Sequence, residues 1–210
     1  MEFTVKSFRL TGIRPLLGSI SMNKQTFEEY LAKKGKTPEE LERAAQDAEN
    51  VVDNDDEPKA TGFYRDTKTG NIILKDYQIK GFLKEAAKAL KDQIGVASYV
   101  SKIDNLVFIK ERNIPLMRDG EWLKNPDSIL DRPLRAMTLQ GPRVAKAYSE
   151  MVEDPWYVDI TVQVVENKKT PKSAAMTMDV IEELLKYGEL KGLLQWRNGG
   201  YGSFTFEERE

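Results

Sequence analysis

Apolar and polar residues alternate with a period of two along several stretches of the chain, which is the pattern of half-buried strands. The clearest stretch is 157–165, where valine and isoleucine alternate with polar residues. Shorter stretches with strand character occur at 2–11, 71–74, 106–109, 114–117 and 201–206. The pattern therefore predicts several short strands and one long one.

Two other stretches place apolar residues every three or four positions, which predicts amphipathic helices. One covers residues 78–90, and the other begins after Thr177, a good N-terminal cap, and ends at about residue 187 or 190. A third helical pattern covers residues 24–52, where Thr37 and Pro38 precede two glutamates and form a helix-start signal.

The order strand, helix, strands, then strand, helix, strand predicts an α+β fold with a ferredoxin-like (RRM-like) βαββαβ core. Because residues 24–60 interrupt two strand-like regions, we expect a helical acidic insertion there. We expect a second insertion, a basic loop or hairpin, at 117–150, and its Pro- and Arg-rich part 122–146 is predicted to be mostly irregular. The length of 210 residues fits a single domain.

Charge is unevenly distributed, although the net charge is only −2. Residues 28–57 contain eleven acids and four bases, a local balance of −7 that leaves +5 for the rest of the chain. A mildly basic body with an acidic appendage is compatible with a nucleic-acid partner.

The chain contains no cysteine and no histidine. Disulfides, Ser-His and Cys-His catalytic pairs and zinc sites built from Cys and His are therefore excluded. Any catalysis must use carboxylates, Lys, Tyr or a hard metal ion bound by oxygen. No apolar run is long enough to span a bilayer and the N-terminus lacks a secretory signal, so we expect a cytoplasmic protein without a membrane partner.

Residues 192–202 combine four glycines with two aromatic residues, one cation and two amides. Backbone N–H groups of such a helix-to-strand loop can bind a phosphate, with Arg197 as the charge and Trp196 or Tyr201 as the stacking surface. A tight turn whose aromatic residues belong to the core would give the same pattern. The candidate RNA-binding residues of this segment are Gly192, Trp196, Arg197, Asn198, Gly199, Gly200, Tyr201 and Gly202.

The predicted start of the helix at 78–90 is a second candidate anion site. Free N–H groups and the positive end of the helix dipole attract anions there. Gln78 and Lys80 lie in its first turn, and Lys84 follows one turn later. An ordinary helix start with surface lysines is the alternative.

The stretch 132–149 contains four cations and no acid, namely Arg132, Arg135, Arg143 and Lys146. Such a stretch can neutralise RNA phosphates and release counterions. The alternative is a surface loop of average basic content.

Asp53, Asp55 and Asp56 form a cluster of carboxylates in the acidic segment. Oxygen ligands of this kind could hold Mg²⁺ at an RNA phosphate, which would make the protein a metal-dependent endoribonuclease. A solvated acidic loop is the alternative.

Three segments resemble the RAMP family, the repeat-associated RNA-binding proteins of CRISPR effector complexes, and most closely the backbone subunits of type III complexes. Residues 10–19 are similar to the first strand and loop of the family, residues 63–84 to its strand, turn and helix, and residues 196–204 to its terminal glycine-rich loop. The chain departs from the family where Lys75 and its successors replace a Pro-Gly-Ser-Ser turn, and at Leu194, where the family often has a glycine.

The resemblance implies a ferredoxin-like core that binds guide RNA along its phosphate backbone. It implies assembly side by side with copies of itself and with other effector subunits in an antiviral ribonucleoprotein. Gln78 and Lys80 would then contact phosphate or sugar, and a loop aspartate near residues 53–57 would correspond to the residue that cuts target RNA in some members. A phage accessory protein that reuses the fold for protein contacts remains a third possibility.

Overall fold

The computed structural model describes residues 2–22, 60–138, 141–166 and 175–209. The chain forms two compact units. Unit 1 comprises Met1–Leu16, Leu74–Trp122 and Glu153–Glu210, and unit 2 comprises Leu17–Ile73 and Leu123–Val152. The chain therefore passes from one unit to the other four times.

Strands and helices both occur in the described residues, so the predicted α+β class is confirmed. The strands are β1 (Glu2–Gly12), β2 (Leu16–Leu17), β3 (Ile20–Ser21), β4 (Ala60–Gly62), β5 (Tyr64–Arg65), β6 (Ile72–Lys75), β7 (Val107–Ile109), β8 (Asn113–Pro115), β9 (Met117–Arg118), β10 (Glu121–Trp122), β11 (Ser128–Thr138), β12 (Gly141–Val152), β13 (Tyr157–Glu166) and β14 (Phe204–Arg209). The α-helices are α1 (Asp76–Ala89), α2 (Lys91–Ile94), α3 (Tyr99–Leu106) and α4 (Met178–Lys186), and 3-10 turns cover Tyr187–Glu189 and Arg197–Gly199. Among these helices, none is long and apolar enough to cross a bilayer.

The sheet of unit 1 is built around β1. This strand pairs antiparallel with β13 on one side and with β14 on the other. On its far side, β13 pairs antiparallel with β7 and, at Tyr157, with β9. The buried residues of β1 and β13 share one face, because successive side chains of a strand point to opposite faces. They are Phe8, Leu10, Val158, Ile160, Val162 and Val164.

Helices α1 and α4 pack on that apolar face. Phe204 lies opposite Gly12 in the sheet, and Phe82 of α1 meets Phe204 edge to face with ring centroids 5.1 Å apart. Lys6 on the same face of β1 donates to Glu182 of α4 at 2.9 Å. The core of unit 1 therefore lies between one face of the sheet and these two helices.

Local signals define both helices. The side-chain oxygen of Gln78 accepts a hydrogen bond from the backbone N–H of Lys75 at 2.8 Å and caps the start of α1. The hydroxyl of Thr177 accepts from the N–H of Val180 at 3.4 Å and caps α4, as its sequence predicts. The apolar stripe of α1 is buried as its periodicity predicts, at Ile79, Phe82, Leu83, Ala86 and Ala87.

Unit 2 contains a long hairpin of β11 and β12, paired from Ser128 opposite Met151 to Thr138 opposite Gly141. Near the base of the hairpin, β12 also pairs in parallel with β4. On its other side, β4 pairs antiparallel with β3. The buried Glu150 fixes the neighbouring chain, since it accepts from the N–H of Phe63 at 2.9 Å and from Arg65 at 2.8 Å.

The prediction that residues 122–146 are mostly irregular is wrong. Most of this stretch belongs to β11 and β12. Pro133, which suggested a break, lies in β11 at the edge of the sheet, where proline is tolerated because a strand there does not need every N–H for pairing. The acidic segment 24–60 lies, apart from Ala60, outside the described residues.

Candidate nucleic-acid interface

The glycine-rich segment forms a tightly packed loop in unit 1, and two of its glycines are required by that packing. A side chain on Gly192 would collide with the backbone of Gly202 and Ser203. Gly202 has φ +70° and lies against the backbone of Leu193, whose N–H donates to the Gly202 carbonyl at 2.9 Å. Only glycine combines this backbone conformation with such close approach.

Backbone hydrogen bonds join the glycine-rich loop to the turn that follows β1. The N–H of Ile13 donates to the Ser203 carbonyl at 2.8 Å, and the N–H of Gly202 donates to the Pro15 carbonyl at 2.7 Å. Between these two positions lies Arg14, whose carbonyl accepts from the indole N–H of the buried Trp156 at 2.9 Å. The exposed side chain of Arg14 therefore extends from a rigidly held backbone beside the loop.

Sequence reasoning did not select Arg14 as a binding residue. The arginine has no charged neighbours in the sequence and stands between Ile13 and Pro15 as an ordinary turn residue. The signal that could have found it is its position within residues 10–19, one of the three segments that resemble the RAMP family.

Trp196 and Tyr201 form an aromatic pair at the surface of the loop. Their rings stack with centroids 5.1 Å apart and planes at 12°. Trp196 is 45% exposed, so it does not belong to the core. Gly199 lies against the indole, where an added Cβ would stand 3.0 Å from the ring. The loop therefore presents a braced aromatic surface, next to which Asn198 is also exposed.

Arg197 connects the loop to α1. Its guanidinium forms an ion pair with Glu85, and the same carboxylate pairs with Lys191 at 2.6 Å. The N–H of Gly200 donates to the Arg197 carbonyl at 3.0 Å and closes the short turn that carries the arginine. Arg197 of the loop and Lys191, which directly precedes the loop, thus share one acid of the helix.

The lysines of α1 lie on another side of the helix. Lys80 donates to the backbone carbonyl of Asp104 at 3.1 Å, and Lys84 pairs with the carboxylate of the same residue in α3. Because each helical residue turns by about 100°, Lys80 and Glu85 project about 140° apart. The loop site and the lysine site therefore flank α1 from different sides, and Gln78 is occupied as the helix cap.

The four cations of the hairpin differ in their surroundings. Arg132 is buried and donates to the hydroxyl of Ser149 at 3.3 Å. Lys146 is exposed and pairs at 3.0 Å with Asp131, which holds the pKa of the Lys146 ammonium above its usual value. Arg135 and Arg143 lie in β11 and β12, and their side chains are outside the described part of the structure.

The proposed catalytic residues Asp53, Asp55 and Asp56 also lie outside the described residues. Within residues 2–22, 60–138, 141–166 and 175–209, no group of three or more metal-binding side chains is placed to hold an ion. The Mg²⁺ hypothesis therefore stays a prediction from sequence.

Comparisons with known proteins identify structures but no sequence family. No family model and no curated protein matches the chain. A chain of the Type III-B Cmr-beta complex bound to cognate target RNA aligns with all of this chain and 60% of its own length, at 11% identity and a TM-score of 0.49. A chain of a Type IV-B CRISPR complex aligns over 98% of this chain and 90% of its own, at 8% identity and a TM-score of 0.47. The protein thus spans 60% of the first of these chains.

Proposed function

We propose that this protein is an RNA-binding backbone-type subunit of a CRISPR effector complex, with a RAMP-type ferredoxin-like core. Guide RNA would run as a single strand along the glycine-rich loop, with its phosphates on cations and its bases against aromatic rings. The resemblance of residues 10–19, 63–84 and 196–204 to the RAMP family supports this proposal.

The topology of unit 1 supports the ferredoxin-like part of the proposal. The antiparallel strands follow the order β14, β1, β13, β7, with α1 between β1 and β7 in the chain and α4 between β13 and β14. This is the arrangement expected when two split βαβ units share one sheet.

The observation that carries the functional proposal is the joining of the Arg14 turn to the glycine-rich loop. It brings Arg14 together with the segment that holds Trp196, Arg197 and Tyr201. Sequence-tolerant binding of single strands needs cations that follow the phosphates and aromatic faces that accept any base. Arg14 and Arg197 would supply the cations, and Trp196 and Tyr201 the aromatic faces.

The proposal keeps some of the other predicted RNA contacts and leaves one out. Lys80 and Lys84 would serve a second stretch of RNA beside α3. Lys146, in the hairpin of unit 2, is a separate candidate RNA contact. Arg132 is left out because its side chain is buried. Endonuclease activity would rest on Asp53, Asp55 and Asp56, and loss of Mg²⁺-dependent cleavage in Asp53→Ala or Asp55→Ala is its test.

The central experiment measures binding of a fluorescein-labelled oligouridylate by anisotropy, with an RNA duplex as the competitor. We expect preferential single-strand binding that weakens with added salt, because neutralised phosphates release counterions. The variant R14Q/R197Q should lose most of this affinity, whereas Lys186→Gln, an exposed lysine of α4, should not. Absence of single-strand binding at low salt would contradict the proposal.

Self-assembly is a second candidate function, and one observation favours it. Val5, Gln163 and Phe108 form a row across β1, β13 and β7 on the sheet face opposite the helices. Val5 is 38% exposed and Phe108 45%, and Phe3 in the next row of that face is 56% exposed. Exposed apolar side chains grouped on one face of a sheet favour a protein contact there. Light scattering of the nuclease-treated protein, with and without RNA added back, tests this assembly. A monomer at all concentrations in both conditions contradicts it.

A further inference from the structure

Glu85 lies between two cations of the candidate RNA surface. One of its carboxylate oxygens is 2.6 Å from the ammonium of Lys191, and the other pairs with the guanidinium of Arg197. All three side chains are partly exposed, at 30% for Glu85, 27% for Lys191 and 29% for Arg197. An acid in this position opposes the binding of a polyanion unless it can leave.

From this geometry we infer that Glu85 occupies a phosphate site. In the RNA-free protein its carboxylate neutralises Lys191 and Arg197, and in the complex a phosphodiester of the RNA backbone replaces it between the same two cations. The inference rests on the proposed function, since it identifies the group of the RNA that this part of the loop receives.

The chemistry of the two anions makes the exchange reasonable. A carboxylate and a phosphodiester each present two oxygens that carry the negative charge, and guanidinium groups bind both. The backbones of both cations are held in place. The N–H of Lys191 donates to the Tyr187 carbonyl at 3.0 Å, and the carbonyl of Arg197 accepts from Gly200. The backbone that carries the two cations therefore stays in place when the carboxylate leaves.

The energetic cost of the exchange is also small. Ion pairs with this much exposure to water contribute little to stability, since side-chain entropy and solvent offset their attraction. The displaced Glu85 side chain can turn into solvent on the exposed side of α1, so no buried charge is left unpaired. Displacement is therefore a small penalty on RNA binding rather than a barrier to it.

A permanent structural role of Glu85 predicts the opposite behaviour. If the carboxylate served to orient Arg197 toward RNA, its removal would weaken binding. If it occupies a phosphate site, its removal strengthens binding. The neutral, similarly sized variant Glu85→Gln separates these two cases by the sign of the change.

The experiment measures oligouridylate affinity by anisotropy for wild type, E85Q, R197Q and E85Q/R197Q. We expect E85Q to bind about threefold to tenfold more tightly, because two weak surface pairs no longer have to be broken. Arg197→Gln should reduce the RNA affinity by a larger factor in the E85Q background than in wild type. In E85Q, no internal carboxylate competes with RNA for the arginine. The matched control is Glu183→Gln, which removes an exposed, lysine-paired acid of α4.

Weaker binding by E85Q overturns the inference, and so does an equal gain in E183Q, which would show an effect of net charge alone. Tripolyphosphate, which carries phosphates without bases, is the second probe, with calorimetry as the readout. Tighter tripolyphosphate binding by E85Q without any RNA binding would contradict the proposed function and keep the phosphate site. If E85Q binds neither probe more tightly than wild type does, Glu85 does not occupy a phosphate site.

Discussion

Trp196 stacks on Tyr201 with its indole 45% exposed, and the backbone that presents it is in an unusual conformation. Trp196 has φ +53° and Leu194 has φ +60°, in the left-handed region that bulky residues rarely adopt. Such backbone costs free energy and is concentrated at functional sites. The loop therefore maintains its aromatic surface against a local conformational preference.

Replacement of Trp196 by alanine should weaken binding of single-stranded RNA. Stacking of one base on an aromatic side chain contributes about 1–3 kcal/mol, so we expect a loss of about tenfold or more. Trp196→Phe should retain part of the affinity. Anisotropy with labelled oligouridylate is the measurement, and Trp122→Ala, which removes a similarly exposed indole from β10, is the control. Equal losses in the two alanine variants would contradict a specific role for Trp196.

Neutralisation of Arg14 or Arg197 should reduce the salt dependence of RNA binding. For single strands, the slope of log affinity against log salt changes by about 0.7 for each phosphate contact. Arg14→Gln and Arg197→Gln should each lower its magnitude by about that amount, and Lys186→Gln should leave it unchanged. The slope is measured over a series of KCl concentrations. An unchanged slope in Arg14→Gln would remove Arg14 from the interface.

Gly202 and Gly200 provide a matched test of the loop packing. Both have positive φ, but a Cβ on Gly202 would collide with the Leu193 carbonyl, whereas one on Gly200 meets open space. Gly200→Ala should therefore cost only the left-handed conformation, about 1–2 kcal/mol. Gly202→Ala should cost about 1–3 kcal/mol more from overpacking. Urea unfolding measures both, and equal costs would show that the close approach does not matter.

Acidic pH should destabilise unit 1, partly through protonation of Asp159. Its carboxylate accepts two hydrogen bonds from Arg9, at 2.8 and 2.9 Å, and a third from Arg209 at 2.5 Å. The hydrogen bonds from Arg9 hold the pKa of Asp159 below its usual value. A lowered pKa in the folded state adds stability that is complete above the unfolded value, about 3.9, and is lost as pH falls through the folded one.

The variant Asp159→Asn should therefore be less stable at neutral pH and should lose less stability on acidification. Urea unfolding of both proteins at neutral pH and at about pH 3 gives the two differences. Parallel stability curves would show that Asp159 does not contribute to the acid response.

Local rules were sufficient for the regular parts of the fold. The 3.6-residue period located α1 to within two residues at its start, and the Thr177 cap located the start of α4. Strict alternation identified β13, since Val158, Ile160, Val162 and Val164 on one of its faces are all buried. These features depend on residues that are close in the sequence, so the local pattern of residues is enough to predict them.

The remaining features of the fold and of the site depend on long-range pairing, which the sequence pattern does not predict. The strands β11 and β12 are stabilised by each other, and their prolines and arginines conceal the strand pattern. The contact of Ile13 with Ser203 joins distant parts of the chain and brings Arg14 to the loop, and nothing in either segment specifies the other. The pairing of Glu85 with Arg197 depends on the same tertiary arrangement.

The central position of β1 has a consequence for biosynthesis. Lys6 and Glu208, which form an ion pair between neighbouring strands, are 202 residues apart. The ribosome therefore releases β1 long before β13 and β14 exist to cover its two edges. An uncovered strand of this kind can pair with another nascent chain. A chaperone that shields extended segments during synthesis should accordingly raise the yield of native protein.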